Sequence, residues 1–210
     1  MPEQPPGFPT AFYRAAATSG RTVYRIESQD SLATVNAYRG GSLANLGHDH
    51  VISSRRVQGY VLASDVASEA RADIYVSLAD LKIDEPPLRQ AAGLEGQLKP
   101  PEIAATRRHM LEDVLQAARY PFLEVHAGWA SDAPPHTVLQ ARISLHGVTR
   151  SYRVPVSYSR DAETVTVTGQ LRIRQTEFGM TPYSVLGGSL KVKDELGLRF
   201  SLEAKRMGSA

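Results

Sequence analysis

Residues 139–173 run LQARISLHGVTRSYRVPVSYSRDAETVTVTGQLRI, and their apolar residues recur at every second position. The same alternation returns at residues 196–202, LGLRFSL. Successive side chains of a β-strand point to opposite faces, so this pattern predicts strands with one apolar face and one polar face. Consecutive strands of this kind predict an antiparallel meander. Closing the meander into a barrel covers the apolar face and removes the exposed edges.

The N-terminal half shows shorter alternating segments, which predict further strands beginning near Thr22, Ala33, Val57 and Ile74. Residues 104–119 are the one segment with helical spacing. We therefore expect an all-β fold, an antiparallel barrel of about eight strands with one amphipathic helix that packs over an opening or along the side. The domain is expected over residues 21–205, behind an irregular lead-in over residues 1–20. The predicted apolar stripe of the helix consists of Met110, Leu111, Val114, Leu115 and Ala118.

Composition excludes several classes of partner and site. The 24 Lys and Arg residues nearly balance the 22 Asp and Glu residues, which gives no reason to expect nucleic acid or an anionic membrane surface as a partner. The absence of cysteine excludes disulfides, thiolate metal sites and cysteine nucleophiles. No run approaches the ~18 apolar residues of a membrane-spanning helix, so we expect no membrane span. The first residues lack the apolar core of a secretory signal, which predicts a cytoplasmic protein unless a leader has been removed.

The inward face of the predicted barrel is the main candidate site. It forms either a tunnel for a long apolar chain or a filled core. Small residues on this face leave volume unfilled and favour the tunnel, and they are Ala33, Ala37, Gly59, Ala63, Ala127, Ala141 and Gly169. The predicted ligand-binding residues are Val35, Val61, Ile74, Val76, Val125, Trp129, Ile143, Val154, Val156, Val167, Leu171, Leu198 and Phe200.

His48 and His50 are the candidate metal ligands. In an extended segment they point the same way, and two imidazoles at this spacing can hold a divalent metal. A third ligand must then come from His109, His126 or His146. The alternative is a polar rim of the barrel, in which the histidines bond to backbone groups.

No combination of residues predicts an active site. A nucleophile elbow and a glycine-rich phosphate motif are both absent from the sequence. The adjacent acids Asp84 and Glu85 are expected on the solvated surface, and His146 is expected to serve a turn with Gly147. We therefore expect no catalytic residues and no enzymatic activity.

Four segments, taken in order, resemble the YceI-like family, a lipocalin-like group of polyisoprenoid-binding barrels. They are VYRI at 23–26, RRHMLEDVLQAARYP at 107–121, LHGVTR at 145–150 and TEFGM at 176–180. The resemblance spans roughly residues 22–204. It implies an extended eight-stranded barrel whose long apolar tunnel holds an isoprenoid chain such as a quinone tail, together with homodimerisation and a periplasmic address. The sequence GHDH at 47–50 departs from the family pattern, in which a single histidine precedes a hydrophobic turn.

These observations together predict a lipocalin-like protein that binds an isoprenoid-type lipid, a quinone or polyprenyl chain, inside the barrel for carriage or storage. No cofactor is required, and the expected partners are an apolar small molecule and a second copy of the chain. The alternative from another class is a metal-binding enzyme or redox protein that uses His48 and His50. A third hypothesis is an interaction domain with a fully packed barrel.

Overall fold

One antiparallel sheet of twelve strand segments dominates the computed structural model, which describes residues 4–94, 96–131 and 137–208. Neighbouring segments pair in an order that returns to its starting point, because β1 pairs with both β4 and β12. The segments are β1 (Val23–Ile26), β2 (Leu32–Gly40), β3 (His50–Ser54), β4 (Val57–Leu62), β5 (Arg71–Ser77), β6 (Lys82–Ile83), β7 (Phe122–Trp129), β8 (Val138–Leu145), β9 (Val148–Arg160), β10 (Thr164–Arg174), β11 (Ser184–Val185) and β12 (Leu190–Arg206).

Three pairs of segments are halves of single interrupted strands, so the closed sheet is an eight-stranded antiparallel barrel. β1 continues into β2 after a short 3-10 turn, and β5 continues into β6 after another. β3 continues into β4 after an interruption of two residues. The long strand β12 pairs with β10 along one edge and with β2 and then β1 along the other, which closes the barrel. The predicted antiparallel barrel of about eight strands is therefore confirmed.

The hairpin between β8 and β9 shows how local sequence fixes the register. His146 and Gly147 both have positive φ, at 54° and 75°, as a two-residue type I′ turn requires. The β8–β9 pairing runs without a shift from Leu145↔Val148 to the far end of the hairpin. His146 Nδ1 lies 3.2 Å from the carbonyl oxygen of Phe178, so this histidine also joins the turn to a neighbouring segment.

The helices differ from the prediction in number and extent. α1 spans Thr10–Thr18, α2 spans Pro86–Ala91, and α3 spans Pro100–His109 and continues as a π-helical turn over Met110–Val114. The predicted helix over 104–119 thus begins four residues earlier, because proline is well tolerated in the first turn of a helix. It also ends earlier, since Gln116 has a φ of 47°. Among the helices of the described residues, none is both long and apolar enough to cross a membrane.

Helix α1 lies within the lead-in expected to be irregular over residues 1–20, of which residues 1–3 lie outside the described part of the chain. It packs on the outside of the barrel, where Tyr13 and Ala16 join a buried cluster with the strands β1 and β4. The Tyr13 hydroxyl donates to Asp73 Oδ2 on β5 at 2.5 Å, and Arg71 and His126 Nδ1 contact the same carboxylate. Burial and the hydrogen bond to Asp73 raise the pKa of Tyr13 well above its ordinary value, so the phenol stays protonated and donates. The prolines lie before residue 10, and the residues after them include several good helix formers.

Gly59 on β4 occupies a position that requires glycine. Its φ is +151°, and a Cβ atom there would collide with the main-chain oxygen of Asp73 on the paired strand β5. We therefore expect Gly59→Ala to lower the free energy of unfolding by about 1–3 kcal/mol. Urea unfolding followed by circular dichroism measures the change. Gly197→Ala is the control, because nothing lies near its Cβ direction; equal stability of the Gly59→Ala variant and the parent would contradict this assignment.

Candidate ligand-binding cavity

The barrel encloses an internal cavity of about 480 Å³ with an almost entirely apolar lining. This volume falls in the range of small-molecule sites, ~300–1,000 Å³. Lining residues on β12 extend from Val192 to Ala204, a length of strand of roughly 40 Å at the usual rise per residue. Inward-facing residues such as Leu171 and Leu198 are only half-buried, because part of their surface faces the cavity. The interior is therefore an elongated container that its own side chains leave unfilled.

All of the predicted ligand-binding residues except Val156 line this cavity. Val156 is buried among Ala141, Val154 and their neighbours. It pairs with Gly169 on β10, and the Phe200 ring lies over Gly169 and packs against the same cluster. Phe200 therefore takes the place on the cavity surface that the alternating pattern predicts for Val156. The role of the lining residues as ligand contacts remains a prediction.

Three alanines on neighbouring strands form a patch of small side chains on the cavity wall. Ala72 pairs with Ala127, and Ala127 pairs with Ala141, so their methyl groups lie side by side at one level of the barrel. All three line the cavity near Trp129. The small residues at 33, 37 and 63 line it as well, whereas Gly59 and Gly169 do not. Short side chains at this level leave the space that an apolar chain needs.

The π-helical turn after α3 lies against one end of the barrel. Met110, Val114 and Leu115 from the predicted apolar stripe line the cavity there, whereas Ala118 at the end of that stripe is exposed. Other residues at this end come from the end of the third strand of the barrel and from the loop after β10. They include Leu78, Leu81, Ile83, Met180 and Tyr183. The segment at 176–180 that resembles the family contains Met180 and ends three residues before Tyr183.

A buried polar cluster lies behind the lining at the same end. His50, at the start of β3, lines the cavity, and its Nδ1 lies 2.6 Å from Asp84 Oδ2. Asp84 Oδ1 accepts hydrogen bonds from the Val51 backbone N–H at 3.0 Å and from Arg89 Nη1 at 2.7 Å. Burial raises the pKa of Asp84, but the hydrogen bonds from His50, Val51 and Arg89 outweigh it and hold this pKa below its usual value. The carboxylate is therefore ionised.

The burial of Asp84 differs from what its sequence context predicts. Adjacent acids at 84 and 85 indicate a solvated surface, yet Asp84 is fully buried. Its backbone N–H donates to the Val51 carbonyl oxygen at 2.8 Å, while its side chain accepts from the Val51 N–H. This reciprocal pair fixes Asp84 beside β3 with a φ of 55°, a conformation that aspartate tolerates better than most residues.

In the structure, the side chains of His48 and His50 lie in different surroundings. His48 is exposed, precedes β3 and does not line the cavity, whereas His50 lies within the strand and lines it. The suggested third ligands are engaged elsewhere, His109 with Asp113, His126 with Asp73 and His146 with Phe178. Within residues 4–94, 96–131 and 137–208, no three histidine, aspartate or glutamate side chains gather closely enough to hold a metal ion.

An up-and-down antiparallel barrel closed around an elongated apolar cavity defines a lipocalin-like protein with an internal site. The model of the YceI-like domain matches residues 41–204, which is most of the chain. The chain therefore belongs to the YceI-like family.

Two solved structures share this fold at low sequence identity. A polyisoprenoid binding domain from Saccharophagus degradans, implicated in plant cell wall breakdown, is 14% identical with a TM-score of 0.59, over 88% of this chain and 98% of that one. BcnA of Burkholderia cenocepacia is 16% identical with a TM-score of 0.56, over 85% of this chain and 98% of that one. At these identities the likeness shows the fold alone. No curated protein sequence matches the chain significantly.

Proposed function

We propose that this protein binds a polyisoprenoid-type lipid, a quinone or polyprenyl chain, in the barrel cavity and carries or stores it. The observation that carries the proposal is the elongated apolar cavity, whose lining includes inward-facing residues such as Leu171 and Leu198 that are only half-buried. Membership of the YceI-like family supports it, as does the likeness to a barrel described as a polyisoprenoid binding domain.

The energetics of the lining favour a long flexible hydrocarbon over a compact polar ligand. Branched aliphatic side chains such as Val61, Ile74 and Leu198 supply most of the wall. Burying one methylene group contributes about 0.8 kcal/mol, so many weak contacts along a prenyl chain sum to tight binding without a polar anchor. Affinity then depends on the length of chain that fits, and no bond needs to form or break.

Native mass spectrometry of freshly purified protein, followed by denaturation and an organic extract of the same sample, tests the proposal. We expect a mass that is lost on denaturation and that reappears in the extract as a prenylated species. Delipidated protein should regain stability when a prenyl lipid is added, by about 2.7 kcal/mol at a ligand concentration 100 times the Kd.

Two controls complete this experiment. A metal analysis of the same sample tests the alternative at His48 and His50, and stoichiometric zinc or iron without lipid would favour that alternative. An extract free of apolar molecules, together with failure of delipidated protein to take up any quinone or polyprenyl lipid, would rule the proposal out.

A further inference from the structure

One histidine in the apolar lining is hydrogen-bonded to a buried charged pair that lies outside the cavity. His50 lines the cavity, whereas its partner Asp84 does not reach it and is fully buried. Arg89 is also buried and binds both Asp84 Oδ1, at 2.7 Å, and the Asp49 carbonyl oxygen, at 2.8 Å. The position of the imidazole is thus set by a charged pair that a ligand in the cavity does not touch.

The hydrogen bond to Asp84 decides which ring nitrogen carries the proton. An ionised carboxylate only accepts hydrogen bonds, so the Nδ1 of His50 must donate at 2.6 Å. Asp84 is already neutralised by Arg89, and a second positive charge beside the apolar cavity would be uncompensated. With the ring proton held on Nδ1 by Asp84, the lone pair lies on Nε2, on the other side of the ring.

Nε2 of His50 makes no hydrogen bond to any of the described residues. The residues paired with this part of β3 and lining the same cavity are apolar, namely Ala37 and Ile83. The Nε2 lone pair can therefore accept a hydrogen bond from a donor that a ligand brings into the cavity. His109, the other histidine of this end, has its Nδ1 engaged by Asp113 at 2.6 Å, and its ring packs against Tyr183.

We propose that His50 Nε2 accepts a hydrogen bond from a hydroxyl head group, so that the cavity selects prenyl alcohols or hydroquinones and orients the head toward the end covered by α3. This inference rests on the proposed function and deepens it. An oxidised quinone or an ether offers only acceptor oxygens to the Nε2 lone pair. A phosphate adds negative charge that the cluster does not compensate, because Arg89 is engaged by Asp84 and by a main-chain carbonyl.

Binding of geranylgeraniol and of its methyl ether to delipidated protein tests the proposal, because the two probes differ only in the replacement of the hydroxyl hydrogen by a methyl group. We expect the parent protein to bind the alcohol roughly 5-fold more tightly than the ether. His50→Phe should abolish this preference while leaving the affinity for the ether nearly unchanged. His50→Asn is a second variant, to be used if His50→Phe does not fold. Its side-chain amide can still donate to Asp84 but ends short of the Nε2 position.

Tyr158→Phe is the matched control. It removes a hydroxyl group that also lines the cavity but lies beside Trp129, away from α3. This variant should keep the preference for the alcohol. Nitrogen NMR gives a direct readout, since the Nε2 signal of His50 should shift on binding the alcohol and not on binding the ether.

The outcomes separate the two proposals. If neither probe binds the parent protein, the proposed function itself fails. Equal binding of alcohol and ether by the parent, or a preference that survives in both His50 variants, overturns the head-group site and leaves the lipid-binding function standing. A preference lost in Tyr158→Phe but kept in the His50 variants would move the head group to the opposite end and overturn the orientation.

Discussion

The Ala127→Phe variant is expected to bind a prenyl chain at least ~100-fold more weakly than the parent protein while it keeps the barrel fold. Ala127 lies between Ala72 and Ala141, at the level where three methyl groups line the cavity wall. A benzyl group there blocks the path toward Trp129, so the chain gives up the contacts beyond that level. Losing about four buried methylene groups at ~0.8 kcal/mol each corresponds to ~100-fold in affinity.

A graded series makes this prediction sharper. Ala127→Val and Ala127→Leu should weaken binding by intermediate amounts, in the order of side-chain volume. Ala162→Phe is the matched control, because Ala162 is exposed in the turn between β9 and β10. Trp129 is the one tryptophan of the sequence and lines the cavity, so its fluorescence reports binding without a label. A folded Ala127→Phe protein with parental affinity would show that the chain lies outside this cavity.

Strand periodicity was sufficient to predict the barrel because its signal is local. Alternation at residues such as Val165 and Val167, or Leu198 and Phe200, follows directly from the two faces of a strand. The lining was predictable for the same reason, since every inward position of a closed barrel faces one interior. Val156 shows the limit of this rule: alternation gives the face of a residue, whereas the bulk of a neighbour such as Phe200 decides whether it reaches the cavity.

The residues that sequence reasoning misplaced depend on contacts between distant segments. Asp84 has the sequence context of a polar turn, and its burial arises from Val51 and His50, more than thirty positions away. Ala72 was overlooked because the alternating pattern of β5 becomes clear only at Ile74. Helix α1 was hidden by the prolines that precede it, and its position depends on the contact between Tyr13 and Asp73.

Asp73→Ala is expected to lower the free energy of unfolding by about 3 kcal/mol, because it removes the common partner of a buried polar cluster. The Tyr13 hydroxyl is fully buried and would lose its acceptor. Arg71 and His126 are each partly exposed and can turn toward water. The loss of stability is therefore smaller than the loss expected when one partner of a fully buried ion pair is removed. Since Tyr13 anchors α1 to the barrel wall, the helix should detach before the barrel unfolds.

Hydrogen exchange and limited proteolysis of residues 10–18 measure this detachment, and chemical denaturation measures the loss of stability. Asp65→Ala is the matched control, because the Asp65 side chain is 93% exposed and its ion pair with Arg160 should contribute almost nothing. Asp73 points to the outside of the barrel and does not line the cavity, so lipid affinity should survive in the Asp73→Ala protein once it is folded. Ala127→Phe should show the reverse, with stability kept and binding lost. Loss of lipid affinity in folded Asp73→Ala protein would contradict this separation and would make α1 part of the binding site.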